Sequence, residues 1–460
     1  MTFTSIYFPI YLILIFYIYW LSKSEYRKYI LLVGGLIFYG LSCIWYPILL
    51  LYVVVLSYLI SKTNRLHWTV YVSMIIFPLF VFKYAGLFSN IVNQINGADF
   101  DTLVLPIGLS FYTFSALSYV IECKKGKESY SLLDLGVGLT FFPCLISGPI
   151  ERPHRLIPQL TCDKKFDYES AEYGLKRIAI GYFKKLVIAD TLAKYVNQIY
   201  GNVYETTGFA LVIGMFFYSI EIYADFSGYS DIAIGVARLF CVDLKENFRQ
   251  PYFAKSIKDF WSRWHISLSS WLKDYIYIPL GGNRKGIRRK YLNIMVTFFI
   301  SGGWHGSDIT YILWGICHGA SEIVEDTFSR KRRADNWIVN SLKMMTTFIV
   351  VSVFWVFFRA ETIGGAVHLL THMFDGIKSL KSYLILGIHY AGLSKYSLLV
   401  TLVDILLLFI YDVFSINRDL SKQIECLKWY IRWPLYILFI LSIVIMSSKG
   451  TGQQFVYGEF

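Results

Sequence analysis

Residues 30–60 read ILLVGGLIFYGLSCIWYPILLLYVVVLSYLI, with no charged side chain anywhere in the run. A helix that crosses a bilayer needs about 20 mostly apolar residues, so the stretch exceeds one span, and it is read as two successive apolar helices. Comparable runs occur at Ile6–Leu21, Thr69–Phe82, Leu103–Ile121 and Phe209–Ile222, and others follow toward the C-terminus. Only helices or a closed barrel satisfy backbone groups in lipid. These runs are continuous rather than alternating, which favours helices. The chain is therefore expected to be an all-α polytopic membrane protein with roughly ten to twelve transmembrane or re-entrant helices and membrane lipid as its solvent.

Composition agrees. Hydrophobic residues make up 55% of the 460 positions and aromatics 18%, and the mean hydropathy is +0.49, values of a bilayer protein rather than a soluble one. No basic residue precedes the first run and no small-residue cleavage site follows it, so it reads as a retained span rather than a signal peptide. The net charge of +12 is spread as short clusters between apolar runs, the pattern of cytoplasmic loops. Nucleic acid is not expected as a partner. Seven cysteines without a Cys-x-x-Cys pair read as small core residues, with neither a disulfide framework nor a zinc site.

The basic clusters set the orientation. Lys23, Arg27 and Lys28, then Lys62 and Arg65, then Lys124, Lys125 and Lys127 fall on the cytoplasmic side, and both termini are expected outside. Pro143, Pro149, Pro153 and Pro158 interrupt residues 132–160, where a short or re-entrant helix pair is expected. From Tyr168 to Tyr200, Lys176, Arg177, Lys184 and Lys185 alternate with apolar positions in a helical pattern that suits an interfacial helix. It is either a basic anchor or a docking surface for a phosphorylated donor. A single integral-membrane domain over residues 1–460 is expected, with variable N-terminal spans in 1–100, a motif-bearing core in 101–360, and C-terminal spans in 361–460 ending in an external tail.

Of eight histidines, His265, His305 and His318 stand in apolar, aromatic-rich segments, where an ionisable group is costly and so a functional candidate. Around His265, the residues Phe260, Trp264, Leu268, Trp271 and Tyr275 recur at helical spacing. They predict one helix with an aromatic stripe, and Ser262, His265 and Ser269 predict a polar edge beside it. His305 lies in Ser301-Gly-Gly-Trp-His-Gly306, where glycines allow a bend or close helix packing. Neutral imidazole suits general-base work near neutral pH, so His305 is either catalytic or a hydrogen-bonded structural histidine. His318 shares a helix face with Trp314 and reads as supporting. No His-x-x-x-His or carboxylate spacing favours a metal, and no Gly-x-Ser-x-Gly elbow, Walker loop or dinucleotide fingerprint occurs.

These segments resemble the membrane-bound O-acyltransferase family, in particular its bacterial alginate and peptidoglycan O-acetyltransferase branch. The resemblance rests on residues 105–114 (LPIGLSFYTF), 142–152 (FPCLISGPIER), 225–235 (DFSGYSDIAIG), 247–252 (NFRQPY), the His265 segment through Arg284, Trp304-His-Gly306 and 357–360 (FFRA). It implies His305 as the catalytic residue and His265 as the second signature position, there to position or polarise the thioester. Trp304, His318, Ser269 and Asp225 are implied in support. It also implies helices around a central tunnel that joins a cytoplasmic donor site to an external funnel.

The tail Phe455-Val-Tyr-Gly-Glu-Phe460 resembles the Phe-x-Tyr-x-x-Phe ending of related O-acetyltransferases. Tyr457 is then either a transient acyl carrier or an aromatic anchor at the interface. The resemblance further implies acetyl-CoA as donor substrate, no bound cofactor, and an extracytoplasmic SGNH-type acetyltransferase or esterase-like partner. It implies a cell-surface polysaccharide as acceptor and the bacterial cytoplasmic membrane as location. Two rivals stay open: a D-alanyl transferase for teichoic acid, and a non-catalytic transporter or flippase for a lipid-linked glycan.

Overall fold

The computed structural model describes residues 1–63, 68–96, 104–328, 336–416 and 427–447. Its elements in chain order are α1 (Phe8–Leu21), α2 (Ser24–Gly40), α3 (Tyr46–Lys62), α4 (Trp68–Asn96), α5 (Leu109–Lys124), α6 (Leu132–Leu139), α7 (Phe142–Leu145), α8 (Pro153–Thr161), α9 (Tyr168–Tyr182) and α10 (Asp190–Gly201). There follow α11 (Phe209–Leu239), α12 (Ile257–Arg263), α13 (Ile266–Leu272), α14 (Ile287–His305), α15 (Ile309–Phe328) and α16 (Trp337–Arg359). The last are α17 (Ile363–His372), α18 (Leu380–Tyr390), α19 (Lys395–Ser415) and α20 (Trp429–Ser447). No strand occurs among the described residues. The uncharged run at residues 30–60 forms most of α2 and α3, parted at residues 41–45.

By length and composition, α11, α16, α19 and α20 are apolar enough to cross a membrane, and α1, α3 and the Thr69–Ala85 part of α4 are shorter apolar helices. The apolar window of α11 is 83% buried against protein and that of α20 not at all. An interior helix and a lipid-facing one are thereby distinguished. On α1, the side chains of Ile10, Ile13, Leu14, Tyr17 and Ile18 point outward, a face that is costly in water and at home in acyl chains.

The described chain packs as two compact units, one of residues 1–180 with 229–246 and one of 181–228 with the chain from Asn247 onward. In the first, α2 packs on α1, α3, α6 and α7, and α5 on α3, α4, α7 and α8. Gly35 of α2 approaches the Thr140 carbonyl so closely that a Cβ would overlap it, and Phe38 gathers the rings of Phe3, Phe8, Tyr11 and Phe142 within 5.5–6.1 Å. Arg155 joins Glu151 and Asp243 at 2.8 and 3.0 Å. Arg177 joins Asp231 and Glu246 at 2.7 and 2.6 Å.

In the second unit, the short link between α14 and α15, residues 306–308, forces them into an antiparallel hairpin. Its helices touch backbone to backbone: a Cβ on Gly302 would overlap the Tyr311 carbonyl, and one on Gly315 would overlap the Phe298 carbonyl. The close packing read from the Gly-Gly pair is realised here. Beside the hairpin, Trp355 of α16 stacks on Trp314 at 5.6 Å and meets Trp264 at 5.0 Å, all three buried.

One expectation is corrected. Lys184 and Lys185 are not on an interfacial surface but buried, 5% and 1% exposed. The helix changes to a π-helical turn at Phe183–Ala189, and the ammonium of Lys184 lies 4.9 Å from the Tyr411 ring centre. Lys185 binds Asp190 and Asp225, each at 2.8 Å. Buried lysines are tolerated when paired, and those carboxylates come from α10 and α11. Arg177 likewise turns inward to the acidic partners named above.

Candidate active site

The segment around His265 is two short helices, not one. Trp264 is extended (φ −100°, ψ 129°) and His265 is left-handed (φ 42°, ψ 53°), a conformation that costs a non-glycine residue roughly 1–2 kcal/mol. Main-chain bonds to the preceding loop hold the break open. The Ile266 N–H donates to the Asn247 carbonyl (2.9 Å), and the Arg249 N–H donates to the Arg263 carbonyl (2.9 Å). Ser256 caps α12 by accepting from the Asp259 N–H at 3.0 Å.

The break undoes the expected polar edge. Helical spacing does not carry across it, so Ser262 is exposed and bonded to the Asp259 carbonyl (2.7 Å), while the Ser269 hydroxyl donates to the Trp264 carbonyl (3.3 Å). Of the three, His265 alone is fully enclosed. Its ring stands edge-on to Phe226 of α11 at 4.6 Å and 6.2 Å from the Trp304 ring. Its Nδ1 is 3.1 Å from Asn247 Oδ1.

His305 is the last residue of α14 and also fully enclosed. Its imidazole lies 4.8 Å from the Trp304 ring, 5.1 Å from Trp314 at right angles, and 5.2 Å from Phe358 of α16. His318, one turn beyond Trp314 on α15, meets that indole at 5.1 Å and accepts at Nδ1 from Trp261 Nε1 (3.2 Å). The three histidines named from the sequence therefore come together in one unit, with Trp304 in ring contact with His265 and His305 and Trp314 in ring contact with His305 and His318.

Asp225 stands apart from that series, engaged with Lys185 as described. Tyr457 lies outside the described residues. Among the described residues, no group of three or more His, Cys, Asp or Glu side chains could hold a metal ion. The sequence assigns no role to Asn247 or Ser267, whose side chains bond to each other (2.9 Å) beside His265, nor to Asp190, and it places Lys185 on an interfacial surface. An amide between apolar and aromatic neighbours, as Asn247 is, offers a signal. Lys185 offers none, since a basic residue in a basic stretch reads as surface.

Enclosed imidazoles on a glycine-packed hairpin, facing an aromatic wall, suit proton transfer shielded from water. The chain belongs to the membrane-bound O-acyltransferase family, whose model matches residues 36–363. It is an acyltransferase, which leaves the transporter reading without support. The chain is similar to a probable alginate O-acetylase of Pseudomonas putida, 32% identical over 100% of this chain and 99% of the relative. It is also similar to a peptidoglycan O-acetyltransferase of Helicobacter pylori, 35% identical over 64% of this chain and 61% of that one. A teichoic acid D-alanyltransferase of Bacillus subtilis is 29% identical over 57% of this chain and 69% of its own length. The family match reaches back to residue 36, where the motifs read from the sequence begin only after residue 100.

Proposed function

We propose that the protein moves an acetyl group from acetyl-CoA on the cytoplasmic face of a bacterial membrane toward the O-acetylation of a cell-surface polysaccharide. The observation that carries the chemistry is that His265 and His305 both meet the Trp304 ring, at 6.2 and 4.8 Å, and are both closed off from solvent. The acyl group is argued from relatives. The alginate O-acetylase aligns over the whole chain, whereas the D-alanyltransferase aligns over 57% of it.

In this reading an acceptor hydroxyl attacks the thioester carbonyl, forming a C–O bond as the C–S bond breaks. The hydroxyl proton passes to imidazole, with His305 as the base, and on to the departing thiolate. Tyr457 is the proposed first acceptor. With the tail outside by the distribution of basic residues, it would hand the acetyl to an SGNH-type partner that esterifies the polymer. Mass spectrometry of surface glycans from cells carrying wild-type or His305→Ala protein tests this. Loss of O-acetyl groups with normal membrane levels of the variant is the expected result, and undiminished acetylation overturns it. Loss of D-alanyl esters instead selects the teichoic acid reading.

A further inference from the structure

Three groups converge on one side-chain atom, Asn247 Oδ1. The Ser267 main-chain N–H lies 3.2 Å away, the Ser267 hydroxyl 2.9 Å and His265 Nδ1 3.1 Å. Asn247 is fully buried, and its own carbonyl takes the Ile266 N–H, so loop and helix break are locked together on both main chain and side chain. An amide seldom declares which end is oxygen, but here it does. A main-chain N–H can only donate, and turning the amide over would set two donors against each other at hydrogen-bond distance.

The protonation of His265 follows. A ring nitrogen that faces this oxygen must carry a hydrogen, because an unprotonated Nδ1 would set its lone pair against those of the oxygen. Neutral imidazole has one N–H. Nε2 is then the unprotonated nitrogen, at the ring position away from Asn247. A doubly protonated ring would need to carry its charge in full enclosure beside Phe226 and Trp304, which is costly.

We infer that Asn247 is a positioning residue that fixes His265 as the Nδ1–H tautomer, so that His265 offers the reaction a proton-accepting Nε2 instead of a hydrogen bond to the thioester carbonyl. This rests on the reading of His265 as part of the active site and sharpens its role. In place of polarising the thioester, His265 offers Nε2 as an acceptor to a hydrogen-bond donor in the site, and removal of the acceptor hydroxyl's proton stays with His305. Where a histidine is a metal ligand, the group that orients it through its other nitrogen is worth about 10–100-fold in function, and a comparable effect is taken for His265.

The direct test is 15N solid-state NMR of the full-length protein in bilayers, labelled at histidine, with the His265 signals identified by their disappearance in His265→Gln. A protonated Nδ1 and an unprotonated Nε2 are expected, and the reverse pattern overturns the inference. Asn247→Leu keeps the volume and removes the acceptor, so surface O-acetylation is expected to fall about 10–100-fold. Asn247→Asp, which accepts from the same three donors, is expected to restore most of it and to keep Nδ1 protonated. Full activity in Asn247→Leu, or no rescue by Asn247→Asp where both variants reach the membrane, overturns the positioning role. Full activity in His265→Ala sinks the underlying reading instead, and leaves the spectrum to decide the tautomer by itself.

Discussion

Lys185 and Asp225 face each other at 2.8 Å, ammonium to carboxylate, with 2% and 1% of their side chains exposed. Asp190 closes on the same ammonium from α10. One cation thus serves two buried carboxylates, and its removal takes an ion-pair partner from each. Breaking a buried pair from one side costs roughly 3–5 kcal/mol. Lys185→Met is expected to lower the Tm in detergent markedly, and the double variant Lys185→Met/Asp225→Asn to recover part of the loss. An unchanged Tm in the single variant would show that the carboxylates find other compensation.

Gly315 supplies a test of sign. In a helix, glycine to alanine ordinarily stabilises by about 0.8–1 kcal/mol. Here the added Cβ would overlap the Phe298 carbonyl, and overpacking costs about 1–3 kcal/mol. Gly315→Ala is therefore expected to lower the Tm. A raised Tm would mean that α14 and α15 can part without cost.

The Trp304 ring meets both imidazoles, His265 at 6.2 Å and His305 at 4.8 Å. Trp304→Leu stays apolar but loses the ring that both meet, and small misplacements of reacting groups can cost about 100-fold in rate. O-acetyl content of surface glycan is expected to drop by about tenfold or more, while Trp304→Phe retains more. Equal acetylation in all three proteins would remove Trp304 from the site.

His154 predicts a pH dependence of stability in the first unit. Burial opposes charging of its ring. Contacts with Cys123, the Glu122 carboxylate (2.8 Å) and the Glu128 carbonyl (3.0 Å) outweigh that and raise its pKa to about 9, from 6.5. A raised folded pKa gives stability that is complete below 6.5 and is lost as pH climbs through about 9. The Tm of the wild type should decline over that window more steeply than that of His154→Gln. Parallel profiles would discount the ion pair.

Much of the architecture is legible in residue order alone. α1, α2, α3, α5 and α11 stand out as apolar runs because a lipid-facing or fully buried helix needs no polar side. The gathering of His265, His305 and His318 among aromatic rings is legible too, since an imidazole set among tryptophans is too costly to keep unless it is hydrogen-bonded or put to use. The break at His265 is hidden because Phe260, Trp264, Leu268, Trp271 and Tyr275 keep helical spacing straight across it. What opens it is the Asn247 loop, well upstream in the chain. The burial of Lys185 is hidden for the same reason: Asp225, its partner, stands far along the chain on another helix.

The backbone contact between α14 and α15 carries one more consequence. With Gly302 and Gly315 seated against carbonyl groups, the hairpin has no slack along its seam and behaves as one stiff arm bearing His305 and His318 at a set interval. A substrate of different girth cannot be admitted by spreading that arm. Room must come from the facing side chains, such as Phe358 of α16, because the break at His265 is itself tied to the Asn247 loop. That is where a redesign for a bulkier acyl group should begin.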